Sequence, residues 1–236
     1  MRNLESTTRT SPYPRLVVFA GIAVLALLAT AVWHTSGPVF WERPIITVLQ
    51  AVPAPLRDFW IAMFEPIPFA LTVSALGFTA AARGRTRLAV AGVFGCVFAV
   101  LTTELLFKPL VDRVRIEVVG VHHRLAHIGG PMFPSAHVTA ATAFATFAWL
   151  ILDRRSRLTP LLVALPLVVG WAAISKGMHY PADVAGGIIV GSTVVYCTVA
   201  AARAAARWID GAASDADTSL EPRAVLQPRD GEPARV

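Results

Sequence analysis

Apolar residues run through this chain in long blocks with short polar breaks between them. Six blocks have roughly the length of a membrane-crossing helix: 16–34, 59–81, 88–107, 137–152, 158–175 and 184–202. A helix needs roughly 17 to 25 predominantly apolar residues to cross about 30 Å of hydrocarbon, and the fourth block is the shortest of the set. The pattern predicts an all-α fold, a polytopic bundle of about six transmembrane helices. It divides the chain into an N-terminal segment, 1–15, a membrane domain, 16–207, and a tail, 208–236. The tail is rich in Asp, Ala, Pro and Arg, has no apolar period, and is expected to be disordered.

Composition agrees with the pattern, at 55% hydrophobic and 15% charged residues. The charges say which way round the bundle sits. Arg2, Arg9 and Arg15 precede the first block; Arg83, Arg85 and Arg87 follow the second; Arg154, Arg155 and Arg157 follow the fourth; Arg203 and Arg207 follow the sixth. With six spans these clusters fall on one side, which cytoplasmic retention of Lys and Arg makes the inner side, together with both termini. Trp41 and Trp60 then lie near the outer interface and Trp208 near the inner one. The positive charge is accounted for by orientation, and no nucleic-acid partner is expected. Ala29-Thr30-Ala31 resembles a signal-peptidase site, but the apolar run is longer than a usual signal core, so an uncleaved anchor is expected. Cys96 and Cys197 lie in separate blocks without a C-x-x-C pair, which indicates neither a disulfide framework nor a zinc knuckle. His122, His123 and His127 in HHRLAH have no carboxylate or cysteine beside them to complete a ligand set; no metal or other cofactor is expected.

Three polar clusters fall together on the outer side: KPLVDRVR at 108–115, FPSAHVTAA at 133–141 and SKGMHYPADVAGG at 175–187. Of 21 basic residues only Lys108 and Lys176 are lysines, both within these clusters. Lys108 and Arg115 bring fixed positive charge and a fork of donors suited to phosphate oxygens. Ser135, after a proline and before a helix, is a natural N-cap, and the helix start offers free N–H groups and the positive end of a dipole. Pro181 suits the first turn of the last helix and forces Tyr180 out of helical geometry, so His179 stands just before the helix and Asp183 in its first turn. Asp183 can then hold one ring nitrogen of His179 and expose the other as a nucleophile, with His137 as the acid for a leaving oxygen. Glu104, four residues before Lys108, is placed to pair with it. Glu65, within the second block in FEPIPFA beside two prolines, is expected at a bent helix or a water-facing position. Arg113 and Arg124 are further candidates for outer phosphate contacts.

In this order the clusters resemble the signature of the type-2 phosphatidic acid phosphatase family, the lipid phosphate phosphatases, with kin among vanadium haloperoxidases. That signature reads K-x6-R-P, then P-S-G-H, then S-R-x5-H-x3-D. Lys108 and Arg115 match the first motif, with Ile116 for proline; Pro134, Ser135 and His137 match the second, with Ala136 for glycine; His179 and Asp183 match the third. The resemblance spans roughly residues 58–202. It departs most at Ala172 and Ala173, where the family has Ser-Arg, so an arginine expected on the phosphate is absent. Lys176, one turn further on, is the expected replacement.

The resemblance implies a metal-independent phosphatase of the cell membrane. Its site would face the extracytoplasmic side and bind a phosphorylated lipid through Lys108, Arg115, Ser135, Ala136 and Lys176. Phosphoryl transfer would run through a phosphohistidine on His179. Polyprenyl pyrophosphate is the first expectation among lipid phosphates, alongside phosphatidate and phosphatidylglycerol phosphate. Two other readings stay open: a phosphotransferase that uses the same histidine, and a lipid-binding pseudoenzyme.

Overall fold

A computed structural model describes residues 13–49, 53–113, 131–152 and 156–220. The elements among the described residues are all helical: α1 (Tyr13–Val32), α2 (Glu42–Leu49), α3 (Ala54–Ala62), α4 (Pro66–Ala82), α5 (Thr86–Thr102), a π-helical turn (Thr103–Phe107), α6 (Lys108–Val111), α7 (Ala136–Ile151), α8 (Thr159–Ser175) and α9 (Pro181–Leu220). Five of the six apolar blocks each fall mainly on one of the longer helices, and the second, 59–81, runs across the break between α3 and α4. By length and composition, Thr86–Val111 and Pro181–Gly211 are each able to cross a bilayer unbroken, and α3 with α4 makes a third, bent by 59°. The apolar stretches Val18–Val32, Ala136–Ile151 and Thr159–Ser175 are shorter.

The shortness of the fourth block has a physical reason. Helix α7 packs against α9, α8, α5 and α4 and sits at the centre of the bundle. Ten of its sixteen residues are buried, among them Ala140, Ala141, Ala143, Ala145 and Ala148. A helix enclosed by other helices needs small residues that let its neighbours close in on all sides. Large apolar side chains stay outside, and Phe19, Leu27, Phe78, Phe94 and Leu161 remain exposed, as befits a surface whose solvent is lipid. The backbone of α7 is approached closely by α9: a Cβ at Gly191 would lie 2.6 Å from the Thr139 carbonyl oxygen.

Three local features carry the chain into the site. Pro66 and Pro68 force the break between α3 and α4, because neither can continue the hydrogen bonding of the preceding turn. Pro109 removes an N–H and crowds the carbonyl of Leu105, and the helix widens into its π turn at that point. Asp112 then ends α6 in the left-handed region (φ 45°), a conformation Asp tolerates better than most residues. That turn sends Arg113 into the interior.

Two expectations need correction. The last helix does not stop at 202, and residues 208–220, expected as disordered tail, continue it to Leu220. The alanine-rich stretch AARAAAR has high helix propensity, and Arg87 of α5 holds Asp210 through paired bonds of 2.9 and 3.1 Å. At the same end the Arg85 guanidinium donates to the Ile151 carbonyl, satisfying the last turn of α7.

The α7–α9 contact gives a stability test. Gly191→Ala should cost about 1–3 kcal/mol and lower the thermal midpoint in detergent. Gly211→Ala, where a Cβ meets nothing within 4 Å, should leave the midpoint nearly unchanged.

Candidate active site

The N-termini of α7 and α9 lie side by side and build the site. The Ser135 N–H donates to the Asp183 carbonyl at 3.0 Å, and a Cβ at Gly187 would lie 2.8 Å from the Ser135 carbonyl oxygen, so only glycine allows this approach. Ser135 is the N-cap of α7, as expected, in extended geometry, but its side chain makes no capping bond. The hydroxyl is buried without a hydrogen-bond partner. Ala136 and His137 follow in the first turn, where backbone N–H groups have no carbonyl in a preceding turn to bond.

His179 and Asp183 meet as the spacing predicts. The His179 Nδ1 is 3.6 Å from the Asp183 Oδ2, and both side chains are buried. Asp183 is fixed from several directions. Its Oδ2 accepts the Tyr180 N–H at 2.8 Å, and its Oδ1 accepts Arg113 Nη1 at 2.7 Å. His137 stands across from this pair, within electrostatic reach of His179, Lys108 and Glu65. Its Nε2 is 3.5 Å from the Glu65 Oε1. Lys108 is paired with Glu104 at 2.6 Å, as expected.

The structure thus brings together Ser135, Ala136, His137, His179, Asp183 and Lys108. Arg115, like Arg124 and the histidines at 122, 123 and 127, lies outside the described residues. Lys176 is paired with a carboxylate outside the cluster: its Nζ contacts the Asp58 Oδ1 at 3.1 Å. Nearby, Arg57 Nη1 donates to the Ser175 carbonyl. Ala172 and Ala173 are fully buried and pack with Ile61, Met178 and Trp60. The place of the family's Ser-Arg pair is therefore filled by an apolar cluster.

Arg113 was expected as an outer phosphate contact and is a buried structural centre instead. Its side chain is fully buried. Nη1 donates to Glu42 Oε1 (3.2 Å) and to Asp183, while Nη2 donates to Glu42 Oε2 (2.5 Å) and to the Gly37 carbonyl (3.1 Å). The Tyr180 ring lies 4.6 Å from Cζ. Burial alone would lower the Arg113 pKa, but hydrogen bonds to Glu42 and the charge of Asp183 outweigh it and raise the value, so the guanidinium stays charged. Glu42 also accepts the N–H groups of Ala182 (2.9 Å) and Val39 (2.8 Å).

Sequence reasoning missed Glu42 and the Glu65–His137 contact. A carboxylate within WERPIITVL, at the edge of an apolar run, was a signal for a buried ion pair, but its partner 71 positions away had no local mark.

This geometry agrees with the comparisons. The chain belongs to the PAP2 superfamily, whose model matches residues 88–207. It is similar to the decaprenylphosphoryl-5-phosphoribose phosphatase of Mycobacterium tuberculosis, 36% identical over 124 residues that make up 52% of this chain and 66% of that protein. The chain thus spans just under two thirds of the length of this relative. It is also similar to an undecaprenyl-diphosphatase of Bacillus subtilis, 28% identical over 144 residues, 61% of this chain and 70% of the relative. In fold it resembles the crystal structure of a transmembrane PAP2 type phosphatidylglycerolphosphate phosphatase from Bacillus subtilis. That match has a TM-score of 0.60 at 18% identity, over 77% of this chain and 93% of the other.

Arg113→Leu should leave Glu42 and Asp183 buried without their counter-charge. The expected loss is about 3–5 kcal/mol, read as a lowered unfolding midpoint of the purified protein in detergent. Glu42→Gln, which turns one accepting oxygen into an NH2 facing an Arg113 N–H and a backbone N–H, should lower the midpoint as well.

Proposed function

We propose that this chain is an integral membrane lipid phosphate phosphatase that works through a phosphohistidine on His179, with its site on the extracytoplasmic side. The observation that carries the reading is the buried His179–Asp183 pair set against the start of α7, where the Ser135 hydroxyl is buried and unbonded. An unsatisfied buried hydroxyl costs about 1–3 kcal/mol. A phosphate oxygen at the helix start would satisfy it together with the N–H groups of the first turn.

In the proposed reaction the lipid phosphate lies on the α7 N-terminus, with Lys108 and Arg115 about its oxygens. Asp183 holds Nδ1 of His179, and Nε2 attacks phosphorus. The P–O bond to the leaving group breaks, releasing the lipid alcohol from a monophosphate or the lipid monophosphate from a pyrophosphate, and His137 gives its proton to the departing oxygen. Water then attacks the phosphohistidine, His137 takes a proton from it, the P–N bond breaks and phosphate leaves. Fixed positive charge around the transferring group supplies most of the rate enhancement. Lys176 joins the site by leaving Asp58. Both partners of that pair are partly exposed, so the exchange costs about 1 kcal/mol or less. A polyprenyl lipid bearing a phosphate or pyrophosphate is the proposed substrate, because relatives named for decaprenyl and undecaprenyl substrates are among the matches.

The test is phosphate release from polyprenyl pyrophosphate, phosphatidate and phosphatidylglycerol phosphate by purified protein in chelator. His179→Ala should lower release by at least about a thousandfold and abolish acid-labile phosphate bound to the protein after a quench. Lys176→Ala should slow release about tenfold, mainly through a higher KM, if the lysine reaches phosphate. Unchanged kinetics in that variant would remove Lys176 from the site.

A further inference from the structure

Each histidine of the site has its own carboxylate. Asp183 serves His179, and the second pair, Glu65 with His137, belongs to no motif. We infer that Glu65 is a positioning residue for His137: its carboxylate holds Nε2 of the ring and so presents Nδ1, as a proton donor, to the leaving oxygen.

The backbone explains why this carboxylate is available. Glu65 is the N-cap of α4, a position where a side chain ordinarily bonds the N–H two or three residues on. Residue N3 is Pro68, which has no N–H, so of the two usual partners only the Ile67 N–H at N2 remains. Glu65 makes no capping bond. The 59° bend between α3 and α4 turns the residue toward the start of α7, where Oε1 stands 3.5 Å from His137 Nε2. That separation is long for a hydrogen bond, as pairs in unliganded sites often are before substrate closes them. The charged groups facing His137 come from three other segments: Glu65 from the bend, Lys108 from α6 and His179 from the turn before α9. Glu65 is the anionic member of that set, and so the one that favours a proton on the ring.

The two pairs differ in their access to water. His179 and Asp183 are 5% and 0% exposed, so the nucleophile is held within the protein. His137 and Glu65 are 17% and 54% exposed. A residue that gives a proton in one half-reaction and takes one from water in the next needs that contact with solvent.

The inference rests on the proposed phosphatase reaction, and leaving-group dependence tests it. For a lipid phosphate the departing alkoxide needs a proton, whereas for p-nitrophenyl phosphate the departing phenolate does not. Glu65→Gln should lower kcat/KM for the lipid phosphate about 10- to 100-fold and that for p-nitrophenyl phosphate less than about threefold. His137→Asn should show the same selectivity, and the double variant should be no slower than His137→Asn alone. Equal losses on both substrates, additive losses in the double variant, or full activity of Glu65→Gln on the lipid would each overturn the assignment. A measurement free of turnover separates this from failure of the phosphatase reading. In histidine-labelled protein the His137 ring nitrogen signals should move on Glu65→Gln at fixed pH, and signals that stay in place would overturn it whether or not the protein releases phosphate.

Discussion

The buried guanidinium of Arg113 is the contact on which the rest of the site depends. It joins two fully buried carboxylates, one at the start of α2 and one in the first turn of α9, and also reaches the Gly37 carbonyl. Two anions and one cation leave a net negative charge in the interior, which bare burial would not permit. The structure offsets it with N–H groups from Val39, Tyr180 and Ala182 and with the positive end of α9. The region between α1 and α2 is thereby tied to the turn that carries His179. Asp183 can orient a histidine because its other oxygen is already held.

The second constraint is the approach of α7 to α9. The start of α7 brings its first-turn N–H groups and positive dipole end beside the turn that carries His179, an arrangement that favours an anion before any lysine or arginine is counted, whereas the N–H groups at the start of α9 go to Glu42 and the Tyr180 carbonyl. Glycine on α9 and alanine on α7 permit the approach, and the hydrogen bond from Ser135 N–H to the Asp183 carbonyl fixes its register. The Ser135 hydroxyl is left unbonded as a result of the same geometry, since the chain enters α7 through Phe133 and Pro134, which pack against Gly186.

Much of this was legible in the sequence because it is local. Apolar block length marked the helices, Pro181 and the spacing of His179 and Asp183 placed the pair on one turn, and the Glu104–Lys108 spacing announced its ion pair. What stayed hidden is long-range. Arg113 lies in a run of charges, and nothing in that run says that it turns inward; the left-handed turn at Asp112 decides it. Glu42 and Glu65 acquire their partners only when segments some 70 residues apart are brought together. The end of α9 was misjudged because the apolar pattern stops where alanine helix propensity and the Arg87–Asp210 pair take over.

Ala173, where the family signature has arginine, bears on the character of the proposed phosphate site. Ala172 and Ala173 pack into an apolar cluster, so the missing charge has no replacement at its own position. The lysines within the described residues each rest on a partly exposed carboxylate, Lys108 on Glu104 and Lys176 on Asp58. On the proposed reading phosphate competes with these carboxylates for cations already half neutralised, and exposed pairs of this kind give way cheaply. An arginine fork imposes a planar two-point geometry, whereas a lysine is a point charge on a flexible stem. A site that exchanges the first for the second selects charge more than shape. That suits a headgroup whose phosphate is single or doubled, and it leaves the choice of lipid to the apolar surfaces around the helix starts.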